Sequence, residues 1–494
     1  MAATADSNLD IFASIACLSR EEHCTDHLQV LKKFTAALRD KEYRDAVDEE
    51  TFSSLLKFLS RLCDDLLAVS CEDQDQDLPS VVLRLQLTAE CFRAQRNACV
   101  QSTRNQSLLR ELGFIDVSIK HLAFLQTTRV GSRDGIFESL RIGIQFLGNM
   151  SVGNQACKDD IWQRSFPDLL LQLLRVDDDK AVHYAAMVLH TCLDETKVEE
   201  LSEPQNIQLA LRVMELCRTQ PDLDWTVLIA TQHFLKSSTL VESMYSGMSH
   251  HERLLYLCFR VTLLELLSAQ LQEEASEECG IPPDVARFLA TSFQNGCGAV
   301  LTLATGSASS DEVLHEALTV ISLLDVLCEM TSDHKQFMFL QDHPDLLVTI
   351  VELLRQVHVI GKASKNIFSA AQNFSFSGDD NPPAQSPVIS FKAQLIRLIG
   401  NLCYSNTDNQ NKVRELEGIP LILDNCNIDS NNPFISQWAI FAIRNLLEHN
   451  TQNQEQIARL EKRGTADYSA LRELGFLVEE RDGSLLLKTV RKDS

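Results

Sequence analysis

The chain has 494 residues, of which 45% are hydrophobic and 23% are charged, so it is long and apolar enough to bury a large core. Its 69 acidic residues outnumber its 45 Lys and Arg, which gives a formal net charge of −24. Such a chain repels phosphate backbones and anionic membrane surfaces, and we therefore expect no nucleic-acid partner. With only 18 Gly and 12 Pro, few sharp turns are available for a β sandwich or barrel, and the composition favours an all-α fold.

The fifteen cysteines are scattered, and no C-x-x-C pair occurs. Scattered cysteines in a large chain favour a reducing compartment, and the N-terminus shows no secretory signal, so we expect a cytosolic protein. The most apolar run, 254–271, is interrupted by Arg260 and Glu265, so we predict a buried helix and no membrane insertion. Four cysteines in apolar helical runs are expected to be buried as small hydrophobic side chains: Cys99, Cys192, Cys328 and Cys403.

Residues 1–79 are predicted to form an N-terminal helical cap. Apolar residues recur there with helical spacing in two stripes, one from Leu28 to Leu38 and one from Phe52 to Leu62. The acidic run at 72–77, just before Pro79, is interpreted as a loop and an internal boundary.

A repeat follows in residues 80–360 and returns in 392–494. In each copy an apolar helix ends near an Asn, at a position that we call the slot, and an Asn-Gln pair then opens a second helix. That pair begins eight residues after the slot in three copies, and only five residues after it, at Asn154, in the second copy. Gly113 and Gly418 are interpreted as glycine helix stops. The slots are Asn97, Asn149, Asn401 and Asn445, with Thr191 and Val326 in two degenerate copies.

The spacing between slots indicates the architecture. Asn149 and Thr191 lie 42 residues apart and Asn401 and Asn445 lie 44 apart, which fits the roughly 40–47-residue period of armadillo and HEAT units. Polar, proline-bearing residues 361–391 are predicted to form a flexible insertion loop, and the turn Asp482-Gly483 predicts a small C-terminal β-hairpin. The predicted fold is an all-α, armadillo/HEAT-like α-α superhelix (solenoid), with the register of 195–325 left open.

Residues 393–462 resemble the C-terminal region of the ataxin-10 family. The resemblance is carried by LIRLIGNLCY, LEGIPLILDNCN and AIRNLLEHNTQNQ, and further upstream by ECFRAQRNAC, QFLGNMSVGNQ and LLDVLCEMT. It implies armadillo-like repeats, self-association and a cytoplasmic, perinuclear protein that is also found at basal bodies (centrosomes) and the midbody. It further implies roles in neurite outgrowth, neuronal survival and cytokinesis. The partners that it implies are a heterotrimeric G-protein β subunit and the O-linked N-acetylglucosamine transferase.

No catalytic residue, metal site or cofactor is expected, and the chain is not predicted to be an enzyme. The phosphate-loop patterns G-x-G-x-x-G and G-x-x-x-x-G-K-[ST] do not occur. Ser151 lies one residue out of step with the G-x-S-x-G nucleophile elbow and follows a helix instead of a strand. His23 and His27 share a helical face but lack the further ligands that zinc needs, so we interpret them as a solvated surface pair. His183 and His190 are also neighbours on one face and are assigned to a helix junction.

The slots and their arginines are the candidate partner-binding site. In armadillo proteins the third helix of each unit lines the concave face, where Asn can bond a peptide backbone and Arg can pair with carboxylates. The alternative is that each Asn only caps its own helix, because Asn tolerates left-handed geometry. The candidate residues are Arg93, Arg96, Asn97, Asn149, Arg397, Asn401, Arg444 and Asn445.

Importin-type grooves carry a Trp one turn before the Asn, where this chain has Arg93, Gln145, Arg397 and Phe441. A basic nuclear-signal peptide is therefore a poor ligand candidate, and an acidic or mixed peptide is a better one. Ser386, followed by proline in the insertion, is a candidate phosphorylation site, with a plain flexible linker as the alternative.

The sequence thus predicts a non-enzymatic scaffold that binds other proteins in signalling and cell division. The alternative is a transport-adaptor solenoid that carries peptide cargo, and an enzyme of unusual type is the third reading. Because terminal repeats need a polar cap or a partner over their apolar outer face, self-association through residues 393–494 is also expected.

Overall fold

The structure is a computed structural model, and it describes residues 14–15, 25–71, 78–128, 131–246, 253–273, 280–303, 311–333, 335–370, 388–427, 429–459, 476–481 and 484–489. The chain divides into two compact units, Met1–Phe234 and Leu235–Ser494. Both are built of helices, as the composition predicts. The acidic run 72–77, His23 and Ser386 lie outside the described residues.

The first unit consists of short and long helices joined by tight turns. Its helices are Thr25–Ala37, Lys41–Ala46, Glu49–Cys71, Leu78–Ala98, Thr103–Leu112, Phe114–Thr127, Arg133–Ser151, Gln155–Ser165, Asp168–Leu173, Asp179–Cys192, Glu195–Leu201, Ile207–Thr219 and Asp224–Gln232. A 3₁₀ turn, Phe234–Lys236, follows them.

The second unit continues in the same style and closes with a strand pair. Its helices are Ser238–Ser246, Arg253–Glu273, Pro283–Gly296, Ala299–Thr302, Asp311–Asp333, Leu346–Ala363, Phe391–Leu402, Thr407–Glu415, Gly418–Asp424, Ile435–Leu447 and Thr451–Arg459, with a 3₁₀ segment at Lys335–Asp342. Strands Phe476–Arg481 and Ser484–Thr489 pair antiparallel, from Phe476 opposite Thr489 to Arg481 opposite Ser484. The Asp482-Gly483 turn lies outside the described residues.

Within each unit one set of helices packs face to face in chain order, and we call these the ladder helices. In the first unit they are Leu78–Ala98, Arg133–Ser151, Asp179–Cys192 and Asp224–Gln232. In the second they are Arg253–Glu273, Asp311–Asp333, Phe391–Leu402 and Ile435–Leu447. Contact between successive copies of a short helical module is the packing of a repeat array.

Buried apolar side chains confirm most of the predicted core. Leu31, Phe34 and Leu38 are fully buried, as are Phe52 and most of the second N-terminal stripe. The four cysteines expected in the interior are buried and unpaired. Burial raises the thiol pKa, to about 12 for Cys192, so these thiols stay protonated and serve as packing groups. None of the described helices combines the length and apolar character needed to cross a bilayer.

The four slot asparagines lie inside their helices, and the chain turns four residues later. At that later position the backbone is left-handed in every copy, at Gln101, Gly153, Ser405 and His449. None of the slots has a positive φ angle, so the alternative in which Asn caps its helix in left-handed geometry is wrong. Gly113, at φ 94°, confirms one predicted glycine stop.

Gly418 has a different role from the predicted helix stop. The left-handed residue is Glu417, at φ 53°, and Gly418 is the first residue of the next helix. A Cβ at Gly418 would lie 2.7 Å from a side-chain methyl carbon of Val413 and 3.1 Å from the Val413 carbonyl oxygen. Glycine is therefore needed here for close approach between helices and not for its backbone freedom.

The start of the predicted flexible insertion is part of the folded unit. The helix continues to Ala363, and the Asn366 amide nitrogen donates to the Ile360 carbonyl oxygen at 2.8 Å. Phe368 is only 3% exposed, and Asn431 donates to the Ser369 carbonyl oxygen. The insertion thus begins later than the composition predicts, because the buried phenylalanine holds 364–370 against the fold. Residues 371–387 lie outside the described part.

His121 makes the stability of the first unit depend on pH. The ring is fully buried against Phe92, and neither ring nitrogen has a hydrogen-bond partner among the described residues. Burial lowers the pKa of His121 to about 3. The folded-state pKa lies below the unfolded value, so only the unfolded chain gains a proton as the pH falls below about 6.5. We expect this residue alone to cost about 2 kcal/mol of stability at pH 5. Urea unfolding of His121→Leu against the wild type at pH 5 and 7.5 checks this, and equal pH slopes would contradict it.

The slot arginines as a candidate partner-binding site

Each slot asparagine donates, through its side-chain amide nitrogen, to a backbone carbonyl oxygen of a helix that lies earlier in the chain. The acceptor of Asn149 is the Arg96 carbonyl oxygen, at 3.0 Å, and the acceptor of Asn445 is the Gly400 carbonyl oxygen, at 2.9 Å. In both cases this carbonyl belongs to the residue just before the previous slot. Asn97 and Asn401 likewise donate to Thr35 and Cys328 carbonyl oxygens.

These contacts change the interpretation of the asparagines. Asn97, Asn401 and Asn445 are 9%, 4% and 3% exposed, and their amides bond one unit to the previous one. The sequence analysis gave two alternatives for these asparagines, peptide binding and capping of their own helices. Neither includes the role seen here, which is to hydrogen-bond one helical unit to the previous one. We therefore confine the partner-binding proposal to the arginines.

The glutamines of the Asn-Gln pairs bond each unit to the next unit along the chain. Gln106 donates to the carbonyl oxygens of Asn149 and Val152, at 2.8 and 2.9 Å. Gln410 donates to the Asn445 carbonyl oxygen in the same way. Backbone carbonyls that a helix end leaves unsatisfied are thus bonded by a neighbouring unit, which fixes the register between units.

Two slot registers predicted from sequence are corrected by these bonds. The Cys157 thiol lies 3.7 Å from the Gln106 carbonyl oxygen, the position that Asn453 occupies against Gln410, so Cys157 replaces the paired Asn. Asn154 is instead the N-cap of its helix, with its side chain accepting from the Cys157 N–H.

The slot before Asn401 is Glu329 and not Val326. Asn401 donates to the carbonyl oxygen of Cys328, which is the residue just before Glu329. Asn149 and Asn445 likewise donate to the residue just before the previous slot. Gln341 then donates to the Asn401 and Tyr404 carbonyl oxygens, the same pair of positions that Gln106 reaches. Because the 3₁₀ segment Lys335–Asp342 lies between the slot Glu329 and Gln341, these two residues are further apart in sequence than in the other copies. The sequence pattern therefore did not reveal this slot.

The four candidate arginines fall into two pairs. Arg93 forms ion pairs with Glu90 and Glu138. Arg397 bonds Glu329 at 2.9 Å and Ser332 at 2.8 Å, and its guanidinium lies 4.7 Å from the Trp438 ring centroid. Because their carboxylate partners are already within the fold, these two arginines position helices.

Arg96 and Arg444 have no carboxylate partner among the described residues. Arg96 donates to the neutral Gln145 amide oxygen, and its pKa is lowered by burial and by nearby Arg93 and Arg39. Arg444 is exposed near the end of the last ladder helix. A partner's carboxylate would complete the coordination of either guanidinium.

Other residues considered for chemistry have structural roles. Ser151 is buried and its hydroxyl donates to the Gly148 carbonyl oxygen at 2.8 Å. His27, predicted to be solvated, is 5% exposed and packs edge-on against Phe58, because its helix face points into the core. Among the described residues no group of three His, Cys, Asp or Glu is placed to hold a metal ion.

The sequence analysis missed Trp225, which is on the ladder helix Asp224–Gln232. Its ring lies beside His183 and His190, which are on the preceding ladder helix Asp179–Cys192. The indole N–H donates to His183 Nε2 at 3.3 Å, and His190 Nε2 lies 2.9 Å from Gln232 Oε1. Both contacts join residues 42 apart, so the repeat continues through this helix. That spacing, applied beyond Thr191, is the signal that would have placed it.

Comparison with known proteins extends these observations. Residues 391–488 match the family described as Spinocerebellar ataxia type 10 protein domain. Ataxin-10 of Xenopus tropicalis is 42% identical over 469 residues, covering 94% of this chain and 92% of that protein. Ataxin-10 of Homo sapiens is 40% identical over 467 residues, covering 94% of each. A crystal structure of an engineered protein aligns over 88% of this chain and 98% of that one, with 12% identity and a TM-score of 0.37.

The relatives and the repeat lead to one assignment. The identity is about two in five residues and extends over nearly the whole of both chains. The chain therefore belongs to the ataxin-10 family.

Proposed function

We propose that this chain is a non-enzymatic scaffold that binds acidic segments of other proteins through its slot arginines. The observation that carries the proposal is that Arg96 and Arg444 retain guanidinium groups with no carboxylate partner in the described structure, although Arg93 and Arg397 are paired. Arg96 donates to the neutral Gln145 amide oxygen, and Arg444 is exposed. An acidic partner segment supplies what they lack.

The proposed cellular role rests on the family resemblance alone. We propose that the scaffold supports neurite outgrowth, neuronal survival signalling and cytokinesis, in the cytoplasm, around the nucleus, and at basal bodies and the midbody. The first partners to test are a G-protein β subunit and the O-linked N-acetylglucosamine transferase. A cargo-carrying transport adaptor receives less support. Two of the positions where an importin-type groove has Trp hold Arg397 and Phe441 here, and these side chains pack within the fold, Arg397 against Trp438 and Phe441 against Gly400.

Charge reversal of the two unpaired arginines tests the proposal. We expect Arg96→Glu with Arg444→Glu to reduce recovery of the two candidate partners at least fivefold in quantitative pull-downs, because a carboxylate would face a carboxylate. The matched control is Arg218→Glu, an exposed arginine on the helix Ile207–Thr219, which is not a ladder helix. Equal recovery by the double variant and the control would contradict the proposal.

Self-association is proposed to use the last ladder helix. Phe434 is the N-cap of the helix Ile435–Leu447, and Ile440 lies within that helix. Each side chain is 69% exposed, and both lie in the region that matches the family domain. We expect Phe434→Asn with Ile440→Lys to shift sedimentation toward the monomer mass without loss of helix content, since both side chains are exposed. Unchanged sedimentation would remove this surface from any self-association.

A further inference from the structure

Four rings form a contiguous strip on the ladder helices of the first unit, and we call it the ring strip: Tyr184, His183, Trp225 and His190. His183 lies edge-on to Tyr184, with centroids 5.7 Å apart, and 6.5 Å from Trp225. His190 lies 5.2 Å from Trp225, and His233 continues the series 5.4 Å beyond it. All of these side chains are exposed or half-buried. The strip is therefore available at the surface and is not part of the core.

Polar contacts fix the geometry of the strip. The Trp225 indole N–H donates to His183 Nε2 at 3.3 Å, which fixes the two rings relative to each other. His190 Nε2 is held by the Gln232 amide oxygen. The rings are thus set in place before any ligand arrives, which lowers the entropic cost of binding.

Arg96 lies one ladder helix away from the strip. Its guanidinium donates to Gln145 on Arg133–Ser151, the ladder helix that packs against the one carrying His183, Tyr184 and His190. Arg141 is itself paired with Asp178, and Arg93 with Glu138. Arg96 has no carboxylate partner among the described residues and therefore remains available for an incoming carboxylate.

Exposed aromatic rings near an unpaired arginine favour a particular ligand. Ring faces and edges pair well with another aromatic side chain, and a guanidinium pairs with a carboxylate in a bidentate fashion. A nucleic acid would meet a chain of net charge −24, which disfavours it. The surface fits a protein segment that carries both an acidic and an aromatic residue.

We propose that the ring strip and Arg96 bind one extended segment of a partner protein, whose aromatic side chain stacks at Trp225 while its carboxylate pairs with Arg96. This rests on the proposed function and adds a second contact point to it. Arg96 and Trp225 are on the first and fourth ladder helices, three helix-to-helix steps of about 8–10 Å each. An extended chain advances about 3.3 Å per residue, so the two ligand side chains lie about eight residues apart.

A synthetic peptide measures both contacts. The probe is an acetylated twelve-residue peptide with glutamate second, 4-fluorophenylalanine tenth and alternating glycine and serine elsewhere, titrated with the full chain and followed by ¹⁹F line broadening. A second peptide places the two side chains only two residues apart. We expect the first peptide to bind about tenfold more tightly than the second, because only it reaches both contacts.

Variants separate this inference from the proposed function. We expect Trp225→Ala and Arg96→Gln each to raise the Kd about tenfold, Trp225→Phe to stay within about threefold, and Arg218→Gln to have no effect. Thermal melts confirm that each variant is folded. If Trp225→Ala leaves the Kd unchanged, if both peptides bind alike, or if neither broadens, the inference is overturned. An effect of Arg96→Gln without one of Trp225→Ala retains the proposed function and rejects the ring strip.

Discussion

Replacing Asp429 with alanine is expected to destabilise the second unit by about 3–5 kcal/mol. Asp429 and Lys392 form an ion pair of 3.0 Å whose side chains are only 4% and 8% exposed. Truncating the carboxylate leaves the Lys392 ammonium buried without its counter-charge, which costs far more than the pair contributes. Hydrogen exchange of the helix Phe391–Leu402 measures the loss of local stability.

Asp429 also organises the loop that begins this helix. Its carboxylate accepts from the Asn432 amide at 2.8 Å, and Asn432 in turn accepts from the backbone N–H groups of Lys392 and Ala393. These are N–H groups of the first helical turn, which have no partner within the helix. Losing Asp429 therefore also weakens the capping of Phe391–Leu402, and the helix that carries Arg397 and Asn401 loses protection first.

Two controls accompany this prediction. Glu455→Ala removes an ion pair with Arg459 whose side chains are 57% and 79% exposed, and it is expected to cost at most about 1 kcal/mol. The double variant Asp429→Leu with Lys392→Met replaces both charges and is expected to recover most of the stability. A cost below about 1 kcal/mol for Asp429→Ala would show that the pair has no such role.

Adding a single methyl group at Gly400 is expected to cost about 1–3 kcal/mol, and Gly400→Val more. A Cβ there would lie 2.9 Å from two ring carbons of Phe441 and 3.1 Å from the Ala442 Cα, which cannot move without moving its helix. Glycine to alanine inside a helix otherwise gains about 1 kcal/mol, so the sign of the effect reports the close approach of the two ladder helices.

Gly298→Ala is the control, because no side chain or backbone atom of another described residue, its chain neighbours aside, lies within 4 Å of a Cβ at that position. It is expected to be neutral or slightly stabilising. Urea unfolding of both variants, followed by circular dichroism, gives the comparison. A Gly400→Ala variant as stable as the wild type would show that the helices Phe391–Leu402 and Ile435–Leu447 have room to separate.

The helical class and the repeat could be predicted from sequence, because the slot asparagines and the paired Asn-Gln mark helix ends in a regular order. Their contacts could not, because each bond joins residues some 35–73 positions apart, as for Gln410 with Asn445 and Asn401 with Cys328. A side chain that bonds a neighbouring unit and one that bonds a peptide have the same sequence signature. Only the burial of Asn401 and Asn445 decides between them.

The arginines show the same limit. Arg93, Arg96, Arg397 and Arg444 have similar surroundings in sequence, yet Glu138 and Glu329 reach two of them from neighbouring helices and leave the other two unpaired. Which carboxylate reaches which arginine depends on helix packing. Trp225 was missed for the same reason, since its neighbours on the strip come from helices one repeat away.

The most direct test of the scaffold account is site-specific photocrosslinking of the full chain in cells. Benzoylphenylalanine replaces the exposed Gln232 or Gln437, on ladder helices, or the exposed Arg218 or Glu455, on other helices. The account predicts covalent adducts with partner proteins at Gln232 and Gln437, which charge reversal at Arg96 and Arg444 reduces. Adducts that form equally at Arg218 and Glu455, or that ignore the charge reversal, would contradict it.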